Sequence, residues 1–158
     1  MIKIEQEFIG AIAKQAEESP RMRKNYNYHQ SYEEVVNRML NALQKDTYVQ
    51  PHKHEEPDKH EVFLILKGKA AVIEFDNEGN IADSIILDAG SGNFGVEIQP
   101  RVWHTIIALE NGTVVYEIKE GPYSPLNDKN FATWAPKEGD THCKVFNNNL
   151  LQKIGYLS

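Results

Sequence analysis

One cysteine, Cys143, occurs in 158 residues, so no disulfide can form within the chain. A thiol without a partner fits a reducing compartment, and a cytoplasmic protein is the expectation. No apolar run approaches the ~20 residues that cross a bilayer as a helix. The start, MIKIEQEFIG, has neither the basic opening nor the apolar stretch of a secretory signal. A basic excess is missing too: 17 Lys and Arg stand against 23 Asp and Glu, a net charge of −6. A general nucleic-acid binder would need a positive field, so neither nucleic acid nor membrane is expected as a partner. Glycine-rich phosphate loops and G-x-S-x-G elbows are absent. What remains is an ordinary globular composition on a length that suits one domain with a real core.

The chain changes character near residue 48. Before it, Ile4, Phe8 and Ile12 fall at four-residue steps along one helix face, and Ser19-Pro20 ends that helix. Ser31 with Glu34 has the form of a capping box, followed by Tyr32, Val35, Val36, Met39, Leu40 and Leu43 at helical steps. Residues 1–47 are therefore expected to be a helical segment of two helices. Beyond it, strands are expected at 48–54, 61–67, 69–75, 81–87, 94–99, 103–109 and 113–119. Asn77-Glu78-Gly79-Asn80 and Glu110-Asn111-Gly112 read as hairpin-type turns. In 113–119 the alternation puts Val114, Tyr116 and Ile118 on one side and Glu117 and Lys119 on the other. Strands without intervening helices indicate a mainly β sandwich or barrel over 48–119. Residues 120–158 open with EGPYSPLNDKNFATWAPKEGD, expected to wrap the barrel as an ordered loop, and end in a tail.

Chemistry concentrates in QPHKHEEPDKHEVFLILKG, residues 50–68. His52 and His54 are two apart, so on a strand both rings face the same way and can chelate one divalent ion. His60 and Glu61 compete to be the third ligand. Adjacent on a strand, they point to opposite faces, and only one can join. His104, in EIQPRVWHTIIAL, is the fourth candidate.

These stretches resemble known motifs. PHKH with EVFLILKG looks like the first cupin motif, in which H-x-H is followed by a glutamate and, after six residues, a glycine; Glu61 and Gly68 keep that second spacing. EIQPRVWH looks like the second cupin motif. Two departures stand out: six residues separate His54 from Glu61, and Gln99 and Arg101 replace the usual proline and glycine. The resemblance implies a single cupin domain over 1–158, a double-stranded β-helix (jelly-roll barrel). It also implies one divalent transition metal ion (Fe, Mn, Ni or Zn) on His52, His54, Glu61 and His104. SPRMRKNYNYHQSYEEVVNRMLNALQKDTYVQPHKH, VWHTI and EGPYSPLNDKNFATWAP together resemble the WbuC family of cupin-fold metalloproteins, bacterial proteins named from O-antigen gene clusters.

Arg21, Arg23 and Lys24 precede Asn25-Tyr26-Asn27-Tyr28. Guanidinium groups suit phosphate or carboxylate, so Arg21, Arg23, Lys24 and Tyr26 are candidates for holding an anionic ligand over the barrel mouth. Phe131 and Trp134 read as staples of the C-terminal loop, with Tyr123, Asp128 and Lys129 beside them, and Trp103 as core or interface. His29 and His142 read as surface residues. In 61–67, Val62, Leu64 and Leu66 lie on one side, Phe63 and Ile65 on the other. One of those faces needs cover outside the barrel, which predicts a homodimer.

With the resemblance, this reading leads to a metal-binding protein for a small polar anionic molecule, such as a sugar or sugar nucleotide in surface-polysaccharide metabolism. Isomerisation or epimerisation is the favoured chemistry. A non-catalytic binding or sensor cupin and a cupin dioxygenase are the alternatives. A structural zinc site would be rich in cysteine, which this chain is not.

Overall fold

The computed structural model describes residues 1–124 and 129–157. An α-helix, α1 (Gln6–Glu17), is followed by strands β1 (Arg23–Asn27), β2 (Val36–Leu43), β3 (His52–Lys53), β4 (Glu61–Lys67) and β5 (Lys69–Phe75). Then come β6 (Ile81–Asp88), β7 (Gly95–Ile98), β8 (Trp103–Ala108), β9 (Thr113–Glu120), β10 (Asn130–Phe131) and a second helix, α2 (Cys143–Lys153). The strands form two five-stranded sheets, ordered β1-β2-β9-β4-β7 and β10-β3-β8-β5-β6, with antiparallel pairing in both.

Alternation along each strand decides what the sheets bury. Phe63, Ile65, Leu43 and Val115 of the first sheet meet Val72, Leu87, Ile106 and Ala108 of the second in the central core. On the outer face of the first sheet, Ile9, Ile12, Ala13 and Ala16 recur at three- and four-residue steps along α1 and pack on Leu40, Ala42 and Val114. On the outer face of the second, Leu150 and Leu151 of α2 pack on Ala71, Ile73 and Ile107.

Several expectations need correction. The second N-terminal helix is not formed; its residues 31–35 are a turn and irregular chain, and Val36–Leu43 are β2, which is covered on both faces. Leu40 and Ala42 lie under α1 while Asn37, Met39, Asn41 and Leu43 face inward. Apolar residues of both parities then mimic a helical period. Ser31 and Glu34 do not cap a helix but close a turn: Ser31 Oγ accepts from Glu33 N, and the Glu34 carboxylate accepts from Gln30 N and pairs with Arg38. Only His52–Lys53 of the expected 48–54 strand pairs, beginning just after Pro51, which has no N–H to offer a ladder. The sheets are not joined into a closed barrel, because each keeps its own edge strands. Asp76 and Gly79 turn the β5–β6 hairpin, with Asp76 Oδ1 accepting from Glu78 N and Asn80 N. The 110–112 turn instead carries the chain from β8 in one sheet to β9 in the other. Gly68 makes the same kind of crossing between β4 and β5 at φ +73°, and a Cβ there would meet Thr113 Oγ1 at 2.6 Å.

Candidate metal centre

His52 and His104 are directly paired across β3 and β8, His54 follows β3, and Glu61 opens β4 from the facing sheet. All four side chains are buried, and one ligating atom from each lies within 4.8 Å of the others. Glu61 Oε2 is 2.9 Å from His104 Nε2 and 3.2 Å from His54 Nε2. His60, its neighbour, turns to the outside as the pleat requires and pairs with Glu120 at 3.0 Å.

The hydrogen bonds assign the ring protons. His52 Nδ1 lies 3.0 Å from Gln50 O, and His104 Nδ1 lies 2.9 Å from Val102 O. A carbonyl only accepts, so each Nδ1 carries a proton and each ring turns its Nε2 inward. His52 Nε2 is buried with no hydrogen-bond partner among the described residues. His104 Nε2 and His54 Nε2 face the same Glu61 oxygen, a position that a ring proton or a metal cation can bridge. Burial, aided by the charges of Lys129 and His104, holds the His52 imidazole well below its ordinary pKa, so it stays neutral as a ligand must. Burial pushes the Glu61 carboxyl up, but hydrogen bonding to His104 and His54 and the charge of Lys119 hold it well below the usual carboxylate range. Three imidazoles with one carboxylate are a donor set for a divalent transition metal. The residues fit the ion.

The centre sits in the wall of a cavity of about 360 Å³, within the usual size of small-molecule sites. Across the inner face of the first sheet, Glu61 is paired with Lys119 and Lys119 with Asn37; one rung further, Phe63 is paired with Glu117 and Glu117 with Met39. Burial pushes the Glu117 carboxyl up to about 8, with the Glu61 charge adding to the rise and Lys119 opposing it. Asn41 donates to Glu117, and the Lys119 ammonium lies 5.7 Å from the centroid of the Tyr123 ring.

Arg21 and Arg23 both line the cavity. They share one carboxylate: Arg21 Nε and Nη2 reach Glu138 at 2.8 and 2.9 Å, and Arg23 Nη2 reaches it at 2.9 Å. Lys24 and Tyr26 do not join them. On β1, Arg23, Asn25 and Asn27 face the cavity, which sends Lys24 and Tyr26 to the other side, where Tyr26 packs on Phe8 and Tyr28. His29 is not a surface residue; it is buried, lines the cavity, and accepts from Arg38 N at 3.2 Å. His142 is exposed beside Asp140. Trp134 packs on Phe75 and Trp103, whereas Phe131 is exposed on the cavity rim, 6.2 Å from His52. Asp128 lies outside the described residues.

Residues 4–87, just over half of the chain, match the model of a family described as a domain of unknown function, DUF6016. The chain belongs to that family. No curated protein sequence matches it. Among solved structures, KdgF from Halomonas sp. superposes with a TM-score of 0.51 at 14% identity, over 67% of this chain and 84% of that one. Cellulomonas parahominis L-ribose isomerase with L-psicose gives 0.54 at 13%, over 72% and 70%. The capsular polysaccharide assembling protein CapF from Staphylococcus aureus gives 0.53 at 17%, over 68% of this chain but 28% of that one. These neighbours are cupin-superfamily proteins, and this DUF6016 member shares their fold.

Within this cupin fold, Asn25, Asn27, Asn37, Asn41, Glu117, Lys119 and Glu138 face or border the cavity without having stood out in the sequence. Alternation had separated Glu117 and Lys119 from their apolar neighbours. It does not say which side is inside.

Proposed function

We propose that this DUF6016 protein binds one divalent transition metal ion on His52, His54, Glu61 and His104. In this reading it acts on a small polar anionic molecule, such as a sugar or sugar nucleotide, held in the adjoining cavity. The observation that carries the reading is the buried cluster of His52, His54, Glu61 and His104, with their ligating atoms within 4.8 Å of one another and His52 Nε2 left without a partner among the described residues. When bound, the ion supplies Lewis-acid polarisation of a ligand oxygen at positions the four side chains leave open. Arg21 and Arg23 carry two positive charges against the single Glu138 and can draw an anionic group to the mouth. Lys119 and Glu117 face the ligand beside the centre.

Isomerisation or epimerisation is the favoured reaction. A fold shared with an L-ribose isomerase supports it, as does the resemblance of the N-terminal segment and C-terminal loop to the WbuC family, which would place the protein in bacterial surface-polysaccharide metabolism. Val36, Leu64 and Leu66, exposed on the outer face of the first sheet, support a homodimer.

The test loads tag-free protein with Fe, Mn, Ni or Zn in turn and offers a panel of aldoses, ketoses and sugar nucleotides in deuterated water. Proton NMR should show deuterium entering a carbon next to the carbonyl, and Glu61→Gln should abolish it. Binding without exchange for every metal would make this a binding protein instead. Consumption of dioxygen would make it a dioxygenase.

A further inference from the structure

Asn37 is 1% exposed and lines the cavity, yet neither its Nδ2 nor its Oδ1 has a hydrogen-bond partner among the described residues. Leaving both ends of a buried carboxamide unpaired forfeits the hydration of both atoms with nothing in return. Native proteins pair such groups with something. Its companions on the same wall are partnered: Asn25 Nδ2 donates to Asn27 Oδ1 at 2.6 Å, and Asn41 donates to Glu117. The backbone closes one side of Asn37, because a Cβ on Gly121 would lie 3.2 Å from its Nδ2. Asn37 belongs to the cavity wall, and its carboxamide is buried there without a partner among the described residues.

The chemistry of that partner follows from the carboxamide. Nδ2 only donates and Oδ1 only accepts. A phosphate or an ionised carboxylate offers acceptors alone and would leave Oδ1 unpaired. Two adjacent hydroxyl groups satisfy both atoms, one oxygen accepting from Nδ2 while the neighbouring O–H donates to Oδ1. Asn37 also stands in the row that runs through Lys119 to Glu61, two strand spacings or roughly 10 Å from that carboxylate. One sugar-sized ligand could meet both ends of the row.

We propose that Asn37 is a specificity-determining residue that reads a vicinal diol on the ligand, at the end of the cavity away from the His52, His54, Glu61 and His104 group. The assignment rests on the metal-centre reading above.

The test is calorimetric titration of zinc-loaded wild type, Asn37→Leu and Asn37→Asp with the four aldopentoses, UDP-glucose, and single-deoxy derivatives of the tightest binder. Metal content and thermal unfolding are measured on the same samples. In the wild type, loss of either of two adjacent hydroxyls should weaken binding about tenfold or more, and Asn37→Leu should weaken it similarly and become blind to those deletions. Asn37→Asp keeps the size but loses the donor and should also bind weakly. Both variants should keep their metal, and Asn37→Leu should unfold at no lower temperature, because an apolar group replaces an orphaned polar one; a merely structural Asn37 would show the opposite. Unchanged affinity in Asn37→Leu, or a zinc-loaded wild type that binds no panel member, overturns the diol assignment and leaves the metal centre standing. A wild type that takes up no metal overturns both.

Discussion

The same strands build two unlike ends of the sheet sandwich. On β4, Phe63 and Ile65 sit in the central apolar cluster, while Glu61, on the same inward face, belongs to the buried ligand group. On β9 Val115 is core, and Glu117 and Lys119 line the cavity. β8 passes from Ile106 and Ala108 to His104. Parity along a strand sets which way a side chain points, but the position along it decides whether that direction is a packed core or a polar hollow. The apolar end holds the sheets together. The other end carries orphaned atoms that an apolar filling would remove, which is the usual signature of a site kept for function rather than stability.

That contrast can be broken from either side. The largest effect should come from Phe63→Ala, which empties a 3%-exposed position. We expect a loss of ~3–5 kcal/mol in denaturant unfolding, with metal per folded molecule unchanged. Next is removal of the ion: a chelator should lower wild-type stability by about 3 kcal/mol when the metal had been present at a hundredfold excess over its dissociation constant, and should do nothing to His52→Ala. A chelator effect that survives in His52→Ala would put the ion elsewhere.

Smaller effects test the rim. Burial raises the Glu138 carboxyl, but hydrogen bonds from Arg21 and Arg23 more than offset this and hold it below its ordinary 4.5. A depressed carboxyl contributes stability above its unfolded pKa and loses it as pH falls through the folded one. The gap between wild type and Glu138→Gln should therefore be present at neutral pH and close below about pH 4.5. Arg21 is mostly exposed, so the gap should stay under about 1 kcal/mol. A gap that widened in acid would contradict the pairing. Smallest of all, His60→Ala should leave metal content intact and its unfolding midpoint indistinguishable from wild type, because its bond to Glu120 is a solvent-exposed one.

Much of this site was legible because its signals are local. A two-residue spacing puts His52 and His54 on one face, and opposite parity means His60 and Glu61 cannot both point inward. β2 was misread because covered faces on both sides place apolar residues at both parities, and Ser31 and Glu34 ahead of it bond to Glu33 N and Gln30 N in a turn without starting a helix. The asparagine wall was not legible at all. A polar residue on an inward face looks, in one dimension, like a solvated one, and only the register that pairs Asn37 with Lys119 and Lys119 with Glu61 shows the row they form. Lys24 and Tyr26 were grouped with Arg21 and Arg23 by proximity in the chain, but the alternation of β1 separates them from Arg23.

The most direct measurement is elemental analysis of tag-free protein: wild type beside His52→Ala, Glu61→Gln and His60→Ala. About one equivalent of a transition metal in wild type and His60→Ala, lost in the other two, is the predicted result. A wild type that stays empty after reconstitution, or a metal that survives both ligand substitutions, would contradict the centre on which the proposed function stands.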